Sequence, residues 1–402
     1  MSNWTNFGIL YTHKSTHIEM DRKVYINRIA SFLPNSPISN DEMEEYIGLI
    51  GGNKSRIKSI VLRQNEIQQR YYALDKNSRL THTNAQLAKE AIVKLFDNGQ
   101  LPRNVGLLAC GTSTPDQLLP SHASMVHGEL GNFPMEVFSS AGVCLTSLQA
   151  LKICYSNILA GLHDNAVCSA SELTSPTFMA KFYDAEYEAM HSYVGKNPYI
   201  AFEKDFLRFM LSDGAGAVLL ENEPKGDLSF EIEWIEMTSY ANELPVCMFM
   251  AAEKDSDGTL KGWKEYSSEE IREKGVFVAK QDVRILKEYA TKYCVNHIEN
   301  ILKKHNVDPN EIDYVIPHIS SMFFYEKLND ELVSRGIPLT KEKWFTNLTS
   351  VGNIGSASIY VALEEFIRTN NIKRGQKILL LVPESGRFSY GTALLKAKKA
   401  LL

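Results

Sequence analysis

The chain has 402 residues, of which 44% are hydrophobic and 23% charged, enough apolar material for a large core and no bias toward disordered or fibrous structure. Its net charge of −5 argues against nucleic acid as a partner, because neutralising phosphates takes a concentrated basic face. An acidic carrier protein needs only a local basic patch and stays open.

The six cysteines form no C-x-x-C pair and no Cys/His cluster at zinc spacing, so neither a disulfide framework nor a metal site is expected. No segment approaches about 18 uninterrupted apolar residues, and the start has no basic region leading into a long apolar run. The expectation is a cytoplasmic protein with reduced thiols and no membrane span.

Residues 1–22 read as an extra arm, and Val24-Tyr25-Ile26 as the first strand. After Pro34 and Pro37, Asn40 or Asp41 is placed to cap a helix that Gly51-Gly52 stops. Leu87, Ala88, Ala91, Ile92 and Leu95 share one face of a helix over 84–96, and a buried strand follows over 105–110. A helix between 141 and 161 and a strand over 166–170 repeat that order. It recurs with a strand over 230–235, a helix over 280–304, a strand over 314–316, a helix over 356–367 and a strand over 378–382. This alternation predicts a parallel, helix-covered sheet in two halves divided near Pro224. Residues 175–207 and 242–275 lack a period and read as insertions.

Three places carry chemistry. Cys144 opens the helical segment C-L-T-S-L-Q-A-L after the small residues of S-S-A-G-V, where a helix N-terminus favours thiolate and supplies an amide for an oxyanion. Pro317-His318 follows a strand, where α/β folds expose reactive groups, and Gly352-Asn353-Ile354-Gly355-Ser356 turns into a helix. Taken singly, each has a plainer meaning: a small buried thiol, a hydrogen-bonded structural histidine, an asparagine in a turn. Together they supply a nucleophile to hold an acyl group and donors for the enolate of a second thioester.

In order along the chain, G-T-S-T-P-D-Q-L-L-P-S (111–121), S-S-A-G-V-C-L-T-S-L (139–148), L-S-D-G-A-G-A-V-L-L (211–220), Pro317-His318, G-N-I-G-S-A-S (352–358) and P-E-S-G-R-F-S-Y-G-T-A-L-L (383–395) resemble the motifs of β-ketoacyl carrier-protein synthase III. The resemblance covers residues 23–398 apart from the insertions. It implies an α/β thiolase fold of five αβαβα layers, with an N-terminal arm (1–22), a half carrying the nucleophile (23–223) and a half carrying His318 and Asn353 (224–402). It further implies a homodimer, Cys144, His318 and Asn353 as a triad, the amides of Cys144 and Gly386 as an oxyanion hole, and 213–216 as a structural turn. The substrates are acyl thioesters; no resident cofactor is expected, since the phosphopantetheine arm arrives with them.

Several positions depart from the family pattern. Ile60 and Gln64 stand where coenzyme A-primed members carry a tryptophan and an arginine, which favours an acyl carrier protein as donor. Lys54, Arg56, Lys58 and Arg63 are candidates to meet it, with Lys280, Arg284 and Lys287 as an alternative face, although a solvated charged face is the commoner meaning of such a run. The histidine motif ends H-I-S-S in place of H-Q-A-N. Leu119 replaces a phenylalanine that blocks the acyl pocket of short-chain relatives. The stretches V-Y-I-N-R-I-A-S-F-L-P-N and V-L-R-Q-N-E-I-Q-Q-R-Y-Y resemble ketosynthases of dialkylresorcinol and flexirubin-type pathways, for which Glu172 is a candidate additional base or simply a structural acid. The alternatives are an ordinary fatty-acid initiation enzyme and a catalytically silent partner subunit.

Overall fold

The structure is a computed structural model that describes residues 22–55, 57–184 and 206–398; the expected arm lies almost wholly outside them. One mixed sheet of nine strands runs through the molecule. Its strands are β1 (Tyr25–Phe32), β2 (Leu107–Thr112), β3 (Glu136–Ala141), β4 (Asn165–Glu172), β5 (Gly214–Glu221), β6 (Ser229–Ser239), β7 (Tyr314–Pro317), β8 (Lys377–Glu384) and β9 (Ser389–Lys398). They lie in the order β7-β8-β9-β6-β1-β5-β4-β2-β3. β1 and β6 share only the pairs Tyr25 with Glu231 and Ile26 with Phe230, so the sheet divides there into a five-stranded and a four-stranded part.

Seven helices matter for the site: α1 (Lys58–Asn65), α2 (Asn84–Val93), α3 (His122–Leu130), α4 (Thr146–Leu159), α5 (Val283–Lys304), α6 (Met322–Ser334) and α7 (Ser358–Thr369). α2 and α3 pack on the outer face of the five-stranded part. α4 and α7 lie between the two parts, in a core that includes Leu148, Leu151, Ile359, Leu363, Val218 and Leu395. α5 and α6 cover the four-stranded part, which completes the five expected layers. Local chemistry fixes helix starts: Thr83 and Gln86 form a capping box at α2, and the Asp282 carboxylate accepts the N–H groups of Arg284 and Ile285 at α5.

The sheet is not parallel throughout. Only β3-β2-β4 and β7-β8 pair in parallel; β5, β1, β6 and β9 run antiparallel to their neighbours. An antiparallel strand buried on both faces shows the same unbroken apolar run as a parallel one, so the pattern does not give direction. Residues 214–216 belong to the fully buried β5 and do not form the expected turn. The helix expected after Asn40 is a single turn, Met43–Ile47, because Gly48 adopts φ 76° and ends it. Asn40 caps nothing: its amide donates to Ile67 O at 2.8 Å and its Oδ1 accepts from Arg70 at 2.7 Å. The expected insertion at 175–207 begins with two short turns, Ser175–Phe178 and Ala180–Phe182, and residues 185–205 lie outside the described residues. The second expected insertion holds the hairpin Ala252–Lys254 with Leu260–Gly262, followed by the helix Ser268–Glu273.

Gly216 allows α7 to lie directly on β5, since a Cβ there would overlap Tyr360 Cβ. Gly216→Ala forces that helix outward, and overpacking of this kind costs about 1–3 kcal/mol. Thermal and urea unfolding should both show the loss; unchanged stability would mean that α7 yields without cost.

Candidate active site

Cys144 stands in the turn between β3 and α4, just ahead of the first helical residue, and is 8% exposed. The helix start pins this turn: Thr146 Oγ1 donates to Val143 O at 2.9 Å, and Ser147 Oγ donates to Cys144 O at 3.1 Å. Gly111, at the end of β2, makes room beneath it, because a Cβ there would overlap the carbonyl of Thr146. Gly386 closes the turn from the other side: a Cβ on it would stand 3.1 Å from Val143 Cγ2. Its carbonyl is fixed by the N–H groups of Cys247 and Met248, at 3.0 and 3.2 Å. Gly386 is therefore brought against Val143, the residue before Cys144, its partner in the expected oxyanion pair.

The surroundings of Cys144 oppose the expected thiolate. Burial above all, and then the charges of Glu384 and Glu172, push the Cys144 thiol well above its ordinary value. The N-terminus of α4, which starts two residues on, pulls the other way.

His318 directly follows β7, and its N–H donates to Leu381 O at 2.7 Å, so it continues the parallel register beside β8. It is 4% exposed, and neither ring nitrogen has a hydrogen-bond partner among the described residues. Burial pushes its pKa down to about 4, so the ring is neutral at pH 7. A buried imidazole with both nitrogens unpaired is costly and rare, and here it stands just past the carboxyl end of β7. The departing end of its motif has its own use, since Ser321 Oγ donates to Gln64 O of α1 at 3.4 Å.

Asn353 is held by its backbone: its N–H donates to Met210 O at 3.1 Å and its carbonyl accepts from Ser212 N at 2.9 Å. Its Oδ1 accepts from Gly355 N at 2.9 Å. Beneath this turn lies the buried Glu172, whose oxygens accept from Ser113 Oγ and Thr114 Oγ1, both at 2.7 Å, and from Ser356 N at 3.1 Å. Burial raises its pKa while these donors lower it, and the geometry is that of a structural acid tying the loop after β2 to the Asn353 turn. Asp213 does a similar service, accepting from Ala73 N at 2.8 Å and from Thr174 N at 2.6 Å.

Cys144, Glu172, His318 and Gly386 all sit at or just past the carboxyl ends of strands, where an α/β sheet opens its crevice. Leu119 does not join them: it is 85% exposed. The basic residues are dispersed. Lys58 is paired with Glu44 at 2.7 Å, Lys54 and Arg63 are exposed, and Arg56 lies outside the described residues. On the alternative face, Lys280 is buried against Glu253, whereas Arg284 and Lys287 are exposed and Lys287 Nζ lies 5.2 Å from the Phe323 ring. Among the described residues there is no cluster of metal-ligating side chains and no helix long and apolar enough to cross a membrane. Sequence reasoning missed Glu384, at the end of β8, whose only signal was an acid inside the motif P-E-S-G-R-F.

Comparison with known proteins adds three findings. Residues 302–397 match the family 3-oxoacyl-[acyl-carrier-protein (ACP)] synthase III C terminal. The chain is 27% identical to β-ketoacyl-[acyl-carrier-protein] synthase III of Clostridium perfringens over 367 residues, 91% of this chain and 96% of that protein. Its fold is similar to the 3-oxoacyl-[acyl-carrier-protein] synthase III of Aquifex aeolicus (TM-score 0.65, 21% identity, 93% of this chain and 99% of that one) and to AbyA1, a tetronic acid condensing enzyme (TM-score 0.70, 20% identity, 93% and 99%).

The buried His318 also leaves a thermodynamic mark. Its folded pKa of about 4 lies below the ordinary 6.5, so between these values the unfolded chain binds a proton that the folded chain refuses. This contribution to stability is present near pH 7 and is lost as pH falls from about 6.5 toward 4. Urea unfolding of His318→Asn should therefore show a shallower loss of stability between pH 7 and 4.5 than the unsubstituted protein. Identical slopes would show that the ring titrates normally.

Proposed function

Because the chain belongs to the β-ketoacyl carrier-protein synthase III family of the thiolase superfamily, we propose that it is a condensing enzyme that carries an acyl group on Cys144. It then joins this group to the enolate of a second thioester by Claisen condensation. The observation that carries this reading is the Cys144 turn held against Gly386, with an unpartnered, neutral His318 at the end of the neighbouring strand. The amides of Cys144 and Gly386 stabilise the oxyanion of acyl transfer. His318 and Asn353 hold the thioester oxygen of the second substrate as its enolate forms, which requires an imidazole that is neutral and free to donate.

The acyl donor in this proposal is a carrier protein whose phosphopantetheine arm reaches the site. Ile60, 38% exposed, and the exposed Gln64 on α1 provide neither an aromatic platform nor a cation for adenine. Arg63 on α1 and Arg284 and Lys287 on α5 are exposed cations for an acidic partner. The working unit is a homodimer joined along β3. That strand is an open sheet edge in which no residue is buried, although β2 beside it and β4 beyond β2 are buried throughout. A second copy there would also give the exposed Leu119 an acyl pocket to enter. The product class favoured by the N-terminal stretches is a dialkylresorcinol-type condensation of a 3-oxoacyl unit with a second acyl unit. The full-length likeness to curated synthase III proteins keeps fatty-acid initiation as the second reading, and product analysis with acyl and 3-oxoacyl carrier proteins separates the two.

Two outcomes are expected. Cys144→Ala should abolish acyl transfer, while His318→Ala and Asn353→Ala should leave acylation largely intact and slow condensation about 10²–10³-fold, the usual cost of one oxyanion donor. Equal loss in both half-reactions would contradict this division of labour. Carrier-protein thioesters should be strongly preferred over coenzyme A thioesters of the same acyl group, with a salt-dependent KM that charge reversal at Arg63 or Arg284 raises. Equal kcat/KM for the two donors, insensitive to moderate salt, would remove the carrier protein from the account.

A further inference from the structure

Glu384 ends β8, is partly buried, and makes no ion pair among the described residues; its carboxylate accepts from the backbone amides of Val143 and Leu145. Its carboxylate lies across the turn that carries the nucleophile. Oε1 is 3.2 Å from the place where Gly386 would bear a Cβ, and Oε2 is 3.8 Å from the same place on Gly142. The amides of Val143 and Leu145, the residues on either side of Cys144, face it. Burial holds the carboxyl above the ordinary glutamate range, against the pull of those two amides.

A thiol kept protonated by burial and by neighbouring carboxylates is a poor nucleophile until something takes its proton. The titratable groups around it are few. Glu172, on β4, is engaged by Ser113, Thr114 and Ser356. His318, beyond β7, is neutral and belongs to the enolate step in the reading above. Arg387 is exposed and donates to Leu244 O at 3.3 Å. Of the two carboxylates whose charge acts on Cys144, Glu172 is taken by hydroxyls, whereas Glu384 accepts only from the amides of the Cys144 turn itself among the described residues.

We propose that Glu384 is the proton acceptor that activates Cys144 for acyl transfer, an inference that rests on the acyl-Cys144 reading. As the Sγ–C bond forms to the thioester carbonyl carbon, the thiol proton passes to the Glu384 carboxylate. The tetrahedral adduct then breaks its bond to the pantetheine sulfur, and Glu384 returns the proton to that leaving thiolate. One thiol and one thioester enter, one thiol and one thioester leave, and Glu384 ends ionised as it began.

A carboxylate that merely fills the start of a helix behaves differently from one that takes a proton. Glu384→Gln removes both the charge that keeps the thiol protonated and the group that accepts its proton, so two rates should move in opposite directions. Alkylation of Cys144 by iodoacetamide at pH 8 should become faster, while acylation by an acyl carrier protein, followed by intact mass, should slow about 10²–10⁴-fold. The unsubstituted protein should acylate along an acid limb, with the rate falling as pH drops through a value above the ordinary glutamate pKa of about 4.3, and Glu384→Asp should keep that limb. A flat profile in the unsubstituted protein, which needs no variant to fold, would overturn the assignment. So would Glu384→Gln acylating Cys144 at the unsubstituted rate. Absence of any acyl-Cys144 in the unsubstituted protein would overturn the underlying acyl-enzyme reading as well.

Discussion

The site depends on how closely the central helices approach the sheet. Gly111 lets the first turn of α4 lie on the end of β2, Gly216 lets α7 lie on β5, and Gly391 leaves space for Leu145 and Leu148 of the α4 segment. Side chains at these three positions would lift the helices by a fraction of an ångström or more, because packed interiors have no slack to absorb a methyl group. Cys144, which sits just ahead of α4, would move with it and leave Gly386. The chemistry is thus set by packing before any polar contact contributes.

Two glutamates, one buried and one partly buried, act on Cys144, the proposed nucleophile, and differ by environment. Glu172 is surrounded by hydroxyls and loop amides and joins three segments of chain: the end of β4, the loop after β2 and the Asn353 turn. Among the described residues, Glu384 accepts only from the amides of the Cys144 turn. The same side chain is thereby a fixed structural acid in one place and a group free to exchange a proton in the other, which is how neighbouring carboxylates come to hold separate roles. His318 fits beside them as a neutral ring, since apolar burial disfavours its charged form.

Much of this was legible from the chain. The small residues before Cys144, the strand before His318 and the glycine turn around Asn353 singled out the candidate site residues, and helical periodicity located α2, α4, α5 and α7. What could not be read depended on contacts between distant segments. What opposes a thiolate at Cys144 is burial first and then Glu384 and Glu172, which reach it from other strands, and the helix end alone reveals none of these. Lys58 looked like part of a basic face until the fold set it against Glu44. The sense of β5 and β9 was hidden because strands buried on both faces carry no alternation, and α3 and α6 were overlooked in sequence that was read for its motifs.

The account stands or falls on where the acyl group is held. The direct measurement is peptide mapping by mass spectrometry after brief incubation with an acyl carrier protein and acid quenching. It should find a single acyl adduct, on the peptide containing Cys144, and none on those carrying Cys110, Cys154, Cys168, Cys247 or Cys294, which are buried and have no such turn around them. An adduct on another residue, or condensation that proceeds without any acylated peptide, would contradict it.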